Sequence, residues 1–233
     1  MGLGRAFLDD LIALKRNGAI DGARRVAEIG AQQLADSVLE ADSALAELHA
    51  LFKRPRVDLG RPCGENNFTR QAPSSRPFWT SLGLSVTAID YDGHRDSIAL
   101  DLNSDATPDD LRGTFDLIVN AGTSEHVANQ DNCFRVMHDL TRVGGVMYHE
   151  VPAGSWNHGL VNYTPKFFLL LHKQNDYEVV LMRERTDNDA TIRAAFIKRA
   201  ERPFATPLDV PPQLMPAKYR QPWRMVRRIA RLP

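Results

Sequence analysis

The chain has 233 residues, of which 43% are hydrophobic and 25% charged, enough to bury one sizeable core and more consistent with one domain plus extensions than with two full domains. Lysine plus arginine and aspartate plus glutamate balance at 29 each, so no global field points to nucleic acid or an acidic substrate. The longest apolar runs, such as FFLLL at 167–171, fall far short of the ~20 residues a membrane-spanning helix needs. The amino terminus carries acidic residues inside its apolar pattern, unlike a secretory signal. Two cysteines, Cys63 and Cys133, cannot form a disulfide framework, and a reduced cytoplasmic setting is the default expectation.

In chain order, residues 4–17 place Phe7, Leu8, Leu11, Ile12 and Leu14 at helical spacing and stop near Gly18, which predicts a leading amphipathic helix within residues 1–23. RRVAEIG at 24–30 reads as a strand ending at a glycine, and Leu34 to Leu51 as one long helix. Residues 53–79 hold four prolines and little periodicity, a loop long enough to act as a lid or binding segment. Strand patterns return at SVTAID (85–90), SIALDL (97–102), FDLIVNA (115–121) and GGVMYHEV (144–151), with a helix expected over Asn129 to Arg142. PKFFLLLHKQ then reads as a helix, and YEVVLMRER and TIRAAFIKRA as a hairpin joined by TDND. Such alternation predicts an α/β, doubly wound, Rossmann-like sheet of about seven strands over 24–200, closed by one antiparallel pair. From Pro203 to Pro222 there are six prolines, followed by WRMVRRIARLP. The extension 201–233 thus reads as a proline-rich wrap ending in a basic amphipathic helix, suited to docking on its own domain, a second subunit or an anionic membrane surface.

Ionisable residues collect where strands end, and in open α/β sheets ligands bind at the carboxyl ends of the strands. Glu28 and Gly30 border the first turn, but the G-x-G-x-x-G needed to cradle a pyrophosphate is missing. A single glycine beside an acid suits an amine or sulfonium cation, or else a plain helix start with a surface glutamate. Asp90 ends the second strand, where its carboxylate can take two ribose hydroxyls. Asp101 follows the third. FDLIVNA runs into Gly122, Thr123, Ser124, Glu125 and His126 without a proline. His126, expected at a helix start whose positive end would keep the ring neutral, is the first candidate general base. His158, with Asn157, Asn162 and Tyr163, is the candidate wall of an acceptor pocket. Glu125, His126, His149, Glu150 and His158 are also conceivable metal ligands, although no two of these histidines stand at the i, i+4 spacing of a helical metal site.

These residues, in VAEIG, VTAIDYDG, LDL, FDLIVNAGTSEHV, CFRVMHDLTRVGG and HGLVNYTPKFF, resemble the class I S-adenosylmethionine-dependent methyltransferases over about residues 24–200. The resemblance implies a seven-stranded sheet whose last strand is antiparallel, with S-adenosylmethionine as cofactor. Glu28 and Gly30 would border the methionine part, Asp90 would hold the ribose, Asp101 and Leu102 would flank the adenine, and Asn120, Ala121 and Gly122 would run beneath the cofactor. Glu125, His126 and His158 would face a small-molecule or sugar acceptor, with methylation on oxygen and no metal required. The sequence departs from the family in its glycine-poor first turn and in the roughly 60 residues between Glu28 and Asp90. No nucleic-acid partner is expected, and a homodimer is compatible with the pattern. A non-catalytic binding module on the same fold, or a nucleotide-dependent oxidoreductase, are the alternatives.

Overall fold

The computed structural model describes residues 2–62, 72–154, 158–186 and 190–205, with Arg95 by its backbone alone. Residues 63–71 of the proline-rich loop, Asn157, most of the TDND turn and the whole basic carboxyl-terminal segment lie outside the described residues.

The chain opens with a two-residue strand, β1 (Gly2–Leu3), and the expected leading helix, α1 (Arg5–Arg16). Strand β2 (Arg25–Ile29) follows, then β3 (Gln33–Leu34), α2 (Asp36–Leu39), α3 (Asp42–Leu51) and α4 (Arg76–Ser81). Next come β4 (Ser85–Asp90), β5 (Ile98–Ala99), β6 (Phe115–Ala121), α5 (Gln130–Leu140), β7 (Thr141–Pro152), α6 (Pro165–Asn175), β8 (Tyr177–Arg185) and β9 (Thr191–Lys198). Seven strands form one sheet in the order β5-β4-β2-β6-β7-β9-β8. All pairings from β5 across to β7 are parallel, and β9 runs antiparallel between β7 and β8.

Both faces of the sheet are covered, so its central strands are apolar on alternate and intervening positions alike. On one face Val26, Leu117, Val119 and Tyr148 pack against Phe7 and Leu11 of α1, Leu45 of α3 and Trp79 of α4. The other face sets Ile29, Ile118, Met147 and Phe196 against Phe134 and Met137 of α5 and Phe168 of α6. The leading helix is therefore one wall of the core. Helix α6 starts where Thr164 accepts the amide of Phe167 and Pro165 fills the first position, and it stops at Asp176 in the left-handed region (φ 57). No helix among the described residues is long and apolar enough to cross a membrane.

Three expectations change. The long helix over Leu34 to Leu51 is split, because Ala41 (φ −86, ψ 51) leaves helical geometry between α2 and α3. Its first residue pairs instead in β3, parallel to β1, while Gln33 bridges Ser74 across the sheet edge. The SIALDL strand shrinks to two residues, since the chain turns at Asp101. The end of the 53–79 loop is helical, with Trp79 buried in the core.

Candidate active site

The carboxyl ends of β2, β4, β6 and β7 stand side by side: Ile29 lies opposite both Ile89 and Asn120, and Ala121 opposite Glu150. Between β2 and β6 the winding of the chain reverses, which opens a crevice. Gly30 (φ 80) and Gly122 (φ 77) flank it, both in the left-handed region that spares them a Cβ. Asp90 closes the first turn by accepting the amide of Ala31 at 2.8 Å on one oxygen and that of Tyr91 at 2.8 Å on the other. Each oxygen keeps a second lone pair for a ligand hydroxyl.

Glu28 is turned away from open crevice chemistry. It is buried, with the Trp79 indole N–H donating to Oε1 at 2.6 Å and the Gln32 amide to Oε2 at 3.3 Å. Ser75 adds a further side-chain hydrogen bond. Burial pushes its carboxyl upward and these donors hold it back. The glutamate thereby ties α4 and the segment before it to the first turn, where Ser75 also donates to the Gln32 carbonyl at 3.1 Å. Asp101 is likewise engaged locally. Its Oδ1 accepts the backbone and side-chain N–H groups of Asn103 at 2.9 and 3.0 Å, and the Asn103 backbone bond leads in lowering its pKa. Asn103 in turn accepts the amides of Ala128 and Asn129, and the Leu102 carbonyl accepts from Asn132. These bonds lock the 101–105 turn onto the start of α5.

Beyond β6 the polar residues divide by face. Asn120 donates to Ser124 Oγ at 2.8 Å and lies 3.3 Å from His149 Nδ1, while its carbonyl oxygen accepts the Ser124 amide. The Tyr163 hydroxyl meets Ser124 Oγ at 2.9 Å and Gln130 at 2.6 Å. This knot is buried on the α5–α6 side, where His149 packs against Phe134, Phe168 and Phe196. Burial there lowers the His149 pKa to about 3. On the opposite side a cavity of about 230 Å³ is lined by Gly2, Gly122, Glu125, Glu150, His158 and Thr191, among others. Glu125 is wholly buried. Its Oε1 lies 3.2 Å from His158 Nε2 and 4.0 Å from His126 Nε2, and the two half-exposed imidazoles meet edge to face with centroids 5.0 Å apart. Gly159 (φ 70) permits this approach, because a Cβ there would stand 2.7 Å from Glu125 Cγ. The amides of Leu160 and Val161 fasten the segment by donating to the Glu125 carbonyl at 2.7 and 3.1 Å. Glu150 forms the other acidic wall. Desolvation raises its carboxyl, opposed by Arg193, and the Tyr148 hydroxyl lies 3.2 Å away. Behind it Asp10 pairs with Arg183 and Arg193, each at 2.8 Å.

No protein-family model matches the chain, and no curated protein matches it. Among solved structures it is similar to the 1,6-didemethyltoxoflavin-N1-methyltransferase of Burkholderia thailandensis, solved with 1,6-didemethyltoxoflavin and S-adenosylhomocysteine. The two share 12% identity over 83% of this chain and 78% of that one, with a TM-score of 0.50. The fold is the class I methyltransferase fold. The N-methyltransferase NodS of Bradyrhizobium japonicum also aligns, at 15% identity over 84% of this chain and 98% of that one, with a TM-score of 0.44.

Within the methyltransferase fold the expected site residues fall into groups. Gly30, Asp90, Ala121 and Gly122 border the crevice, and the Asn120 side chain belongs to the buried knot; Glu125 and His158 line the cavity, with His126 beside Glu125. His149 and Tyr163 are buried against α5 and α6, and neither lines the cavity. His126 ends a 3₁₀ turn, Ser124–His126, and α5 begins only at Gln130 under its Asn129 cap. The helix-end argument for a neutral His126 ring therefore fails, and its nearest acidic side chain is Glu125. Sequence reasoning missed Trp79 and Ser75 as partners of Glu28, Gly159 as the spacer for His158, and the Asp10–Arg193 pair behind Glu150. A signal existed for the last: Asp10 interrupts the apolar stripe of α1 and Arg193 that of β9, charges that buried positions tolerate only when paired.

Proposed function

We propose that the chain is an S-adenosylmethionine-dependent methyltransferase that methylates an oxygen of a small-molecule or sugar acceptor. The cluster of Glu125, His126 and His158, of which Glu125 and His158 line a cavity beside Gly122, carries this reading, because methylating a hydroxyl requires a group that takes its proton. The residues present fit the cofactor. Asp90 has acceptor capacity for a ribose diol, and the two left-handed glycines give a ligand close access to the backbone. Asp90 would hold the ribose, the 101–102 turn would flank the adenine, and Asn120–Gly122 would lie beneath. When bound, S-adenosylmethionine supplies an electrophilic methyl group on sulfonium sulfur. The protein's part is to align the acceptor oxygen, exclude water and receive the proton at an imidazole Nε2 of His126 or His158.

Calorimetry of the purified chain with S-adenosylmethionine, S-adenosylhomocysteine and NAD tests the reading. Binding of the first two is expected, and binding of NAD alone overturns it. A second reading, a non-catalytic module on this fold, is favoured by one observation: protein donors already engage Glu28, at a turn with a single glycine. Binding of none of the three ligands would select it.

A further inference from the structure

We infer that Glu125, His126 and His158 form a binding site for a divalent transition-metal ion at the wall of the cavity. Two imidazoles and one carboxylate are a donor set that suits Zn²⁺, Co²⁺, Mn²⁺ or Fe²⁺ rather than the all-oxygen preference of Mg²⁺ or Ca²⁺. One donor atom from each residue lies within 4.8 Å of the other two. An ion about 2.0–2.2 Å from each ligand needs donors about 2.8–3.6 Å apart, for ligand angles between about 90° and tetrahedral. The Glu125–His158 pair, at 3.2 Å, already has that spacing. The Glu125–His126 distance of 4.0 Å closes with a small rotation of a ring whose side chain is 46% exposed.

A second, independent observation points the same way. Glu125 Oε2 is buried and has no hydrogen-bond partner, and leaving a buried carboxylate oxygen unsatisfied is costly. A cation held by both oxygens of the carboxylate would satisfy it. The scaffold is also built for closeness: left-handed Gly159 presses its backbone onto Glu125, and two amides pin the segment to the Glu125 carbonyl. Three protein ligands leave coordination positions open toward the cavity, the arrangement of a catalytic rather than a structural site.

The role of the ion rests on the methyl-transfer reading; the site itself does not. A hydroxyl of the acceptor would occupy an open position and lose its proton to water more readily there. The resulting oxygen attacks the methyl carbon as the carbon–sulfur bond breaks and its electron pair stays on sulfur. With the ion seated the proton passes to water, and the imidazoles would receive it only in the metal-free chain.

The test uses the full chain after chelator treatment, titrated with Co²⁺ and Zn²⁺ by calorimetry and followed in the visible region for Co²⁺ ligand-field bands. We expect one saturable Co²⁺ site displaced by Zn²⁺, weakened at least about tenfold in His126→Ala and in His158→Ala, since even supporting residues of metal sites are worth that much. His94→Ala, which removes an exposed imidazole elsewhere, should bind as the parent does. S-adenosylhomocysteine binding is measured on the same samples. No saturable Co²⁺ binding, or equal binding by parent and both variants, overturns the site, and intact S-adenosylhomocysteine binding in that case leaves the transfer reading standing. Co²⁺ binding lost in the variants but without S-adenosylhomocysteine binding upholds the site and removes the transfer reading.

Discussion

Replacing Gly159 with alanine perturbs the one backbone position that brings His158 to Glu125. Its φ of 70 costs an alanine about 1–2 kcal/mol. The new Cβ would also stand 2.7 Å from Glu125 Cγ and 2.9 Å from the Glu125 carbonyl oxygen, where carbon atoms prefer about 3.5 Å. Glu125 is wholly buried and its carbonyl is held by two amides, so the 158–161 segment is the part that must yield. Moving it by the missing ~0.8 Å would stretch the 3.2 Å contact between His158 and Glu125 to about 4 Å, beyond hydrogen-bonding range. We expect a loss of about 2 kcal/mol in urea unfolding, mostly backbone strain because the half-exposed His158 contributes little through its charge. The ring resonances of His158 should shift in a ¹H–¹⁵N spectrum, and turnover should fall once an acceptor is known. A variant as stable as the parent, with unmoved His158 resonances, would refute the reasoning.

Three further outcomes follow from the same geometry. Asp90→Ala should weaken S-adenosylhomocysteine binding by about 2 kcal/mol, the worth of hydrogen bonds to a charged group; calorimetry giving an unchanged Kd would remove Asp90 from the cofactor site. Trp79→Phe should cost about 2 kcal/mol in chemical denaturation by leaving the buried Oε1 of Glu28 without its indole donor, and a loss within ~0.5 kcal/mol would show that water replaces it. His149 has a pKa of about 3 in the folded chain against 6.5 as its ordinary value. The unfolded chain therefore binds this proton first, and stability from this group is full above pH 6.5 and falls by about 1.4 kcal/mol per unit toward pH 3. Buried carboxylates with raised pKa values, such as Glu28 and Glu150, push the opposite way, so the comparison is parent minus His149→Leu. That difference should shrink steadily from pH 6.5 to 4, and a flat difference would mean the ring is protonated in the fold.

The parts legible in the sequence were those set by local periodicity. FDLIVNA matches β6 residue for residue because both faces of a central strand are buried, and left-handed glycines, Gly113 and Gly122, bracket it. What escaped depended on distant partners. Leu34 continues a helical pattern, yet its backbone pairs with Leu3. Glu28 reads as a ligand-facing acid until Trp79, 51 residues away, supplies its donor. The site was half legible. Glu125 and His126 are adjacent and His158 was marked, but their meeting depends on Gly159, which carried no signal of its own. The grouping of His149 with Glu150 could have been avoided, because neighbours on a strand face opposite sides of the sheet.

The ion pairs of Asp10 tie the first helix of the chain to its last hairpin, through Arg183 in β8 and Arg193 in β9. During synthesis the helix is made long before either arginine exists. Until both arrive, Asp10 can enter the core only by keeping its proton or by dragging water with it, since an unpaired buried carboxylate is penalised heavily. The helix that walls one face of the sheet thus gains its full set of charge partners only when β8 and β9 are in place. Because Glu150 shares Arg193 and Tyr148 with Asp10, a chain cut before β9 would leave both acids without that arginine.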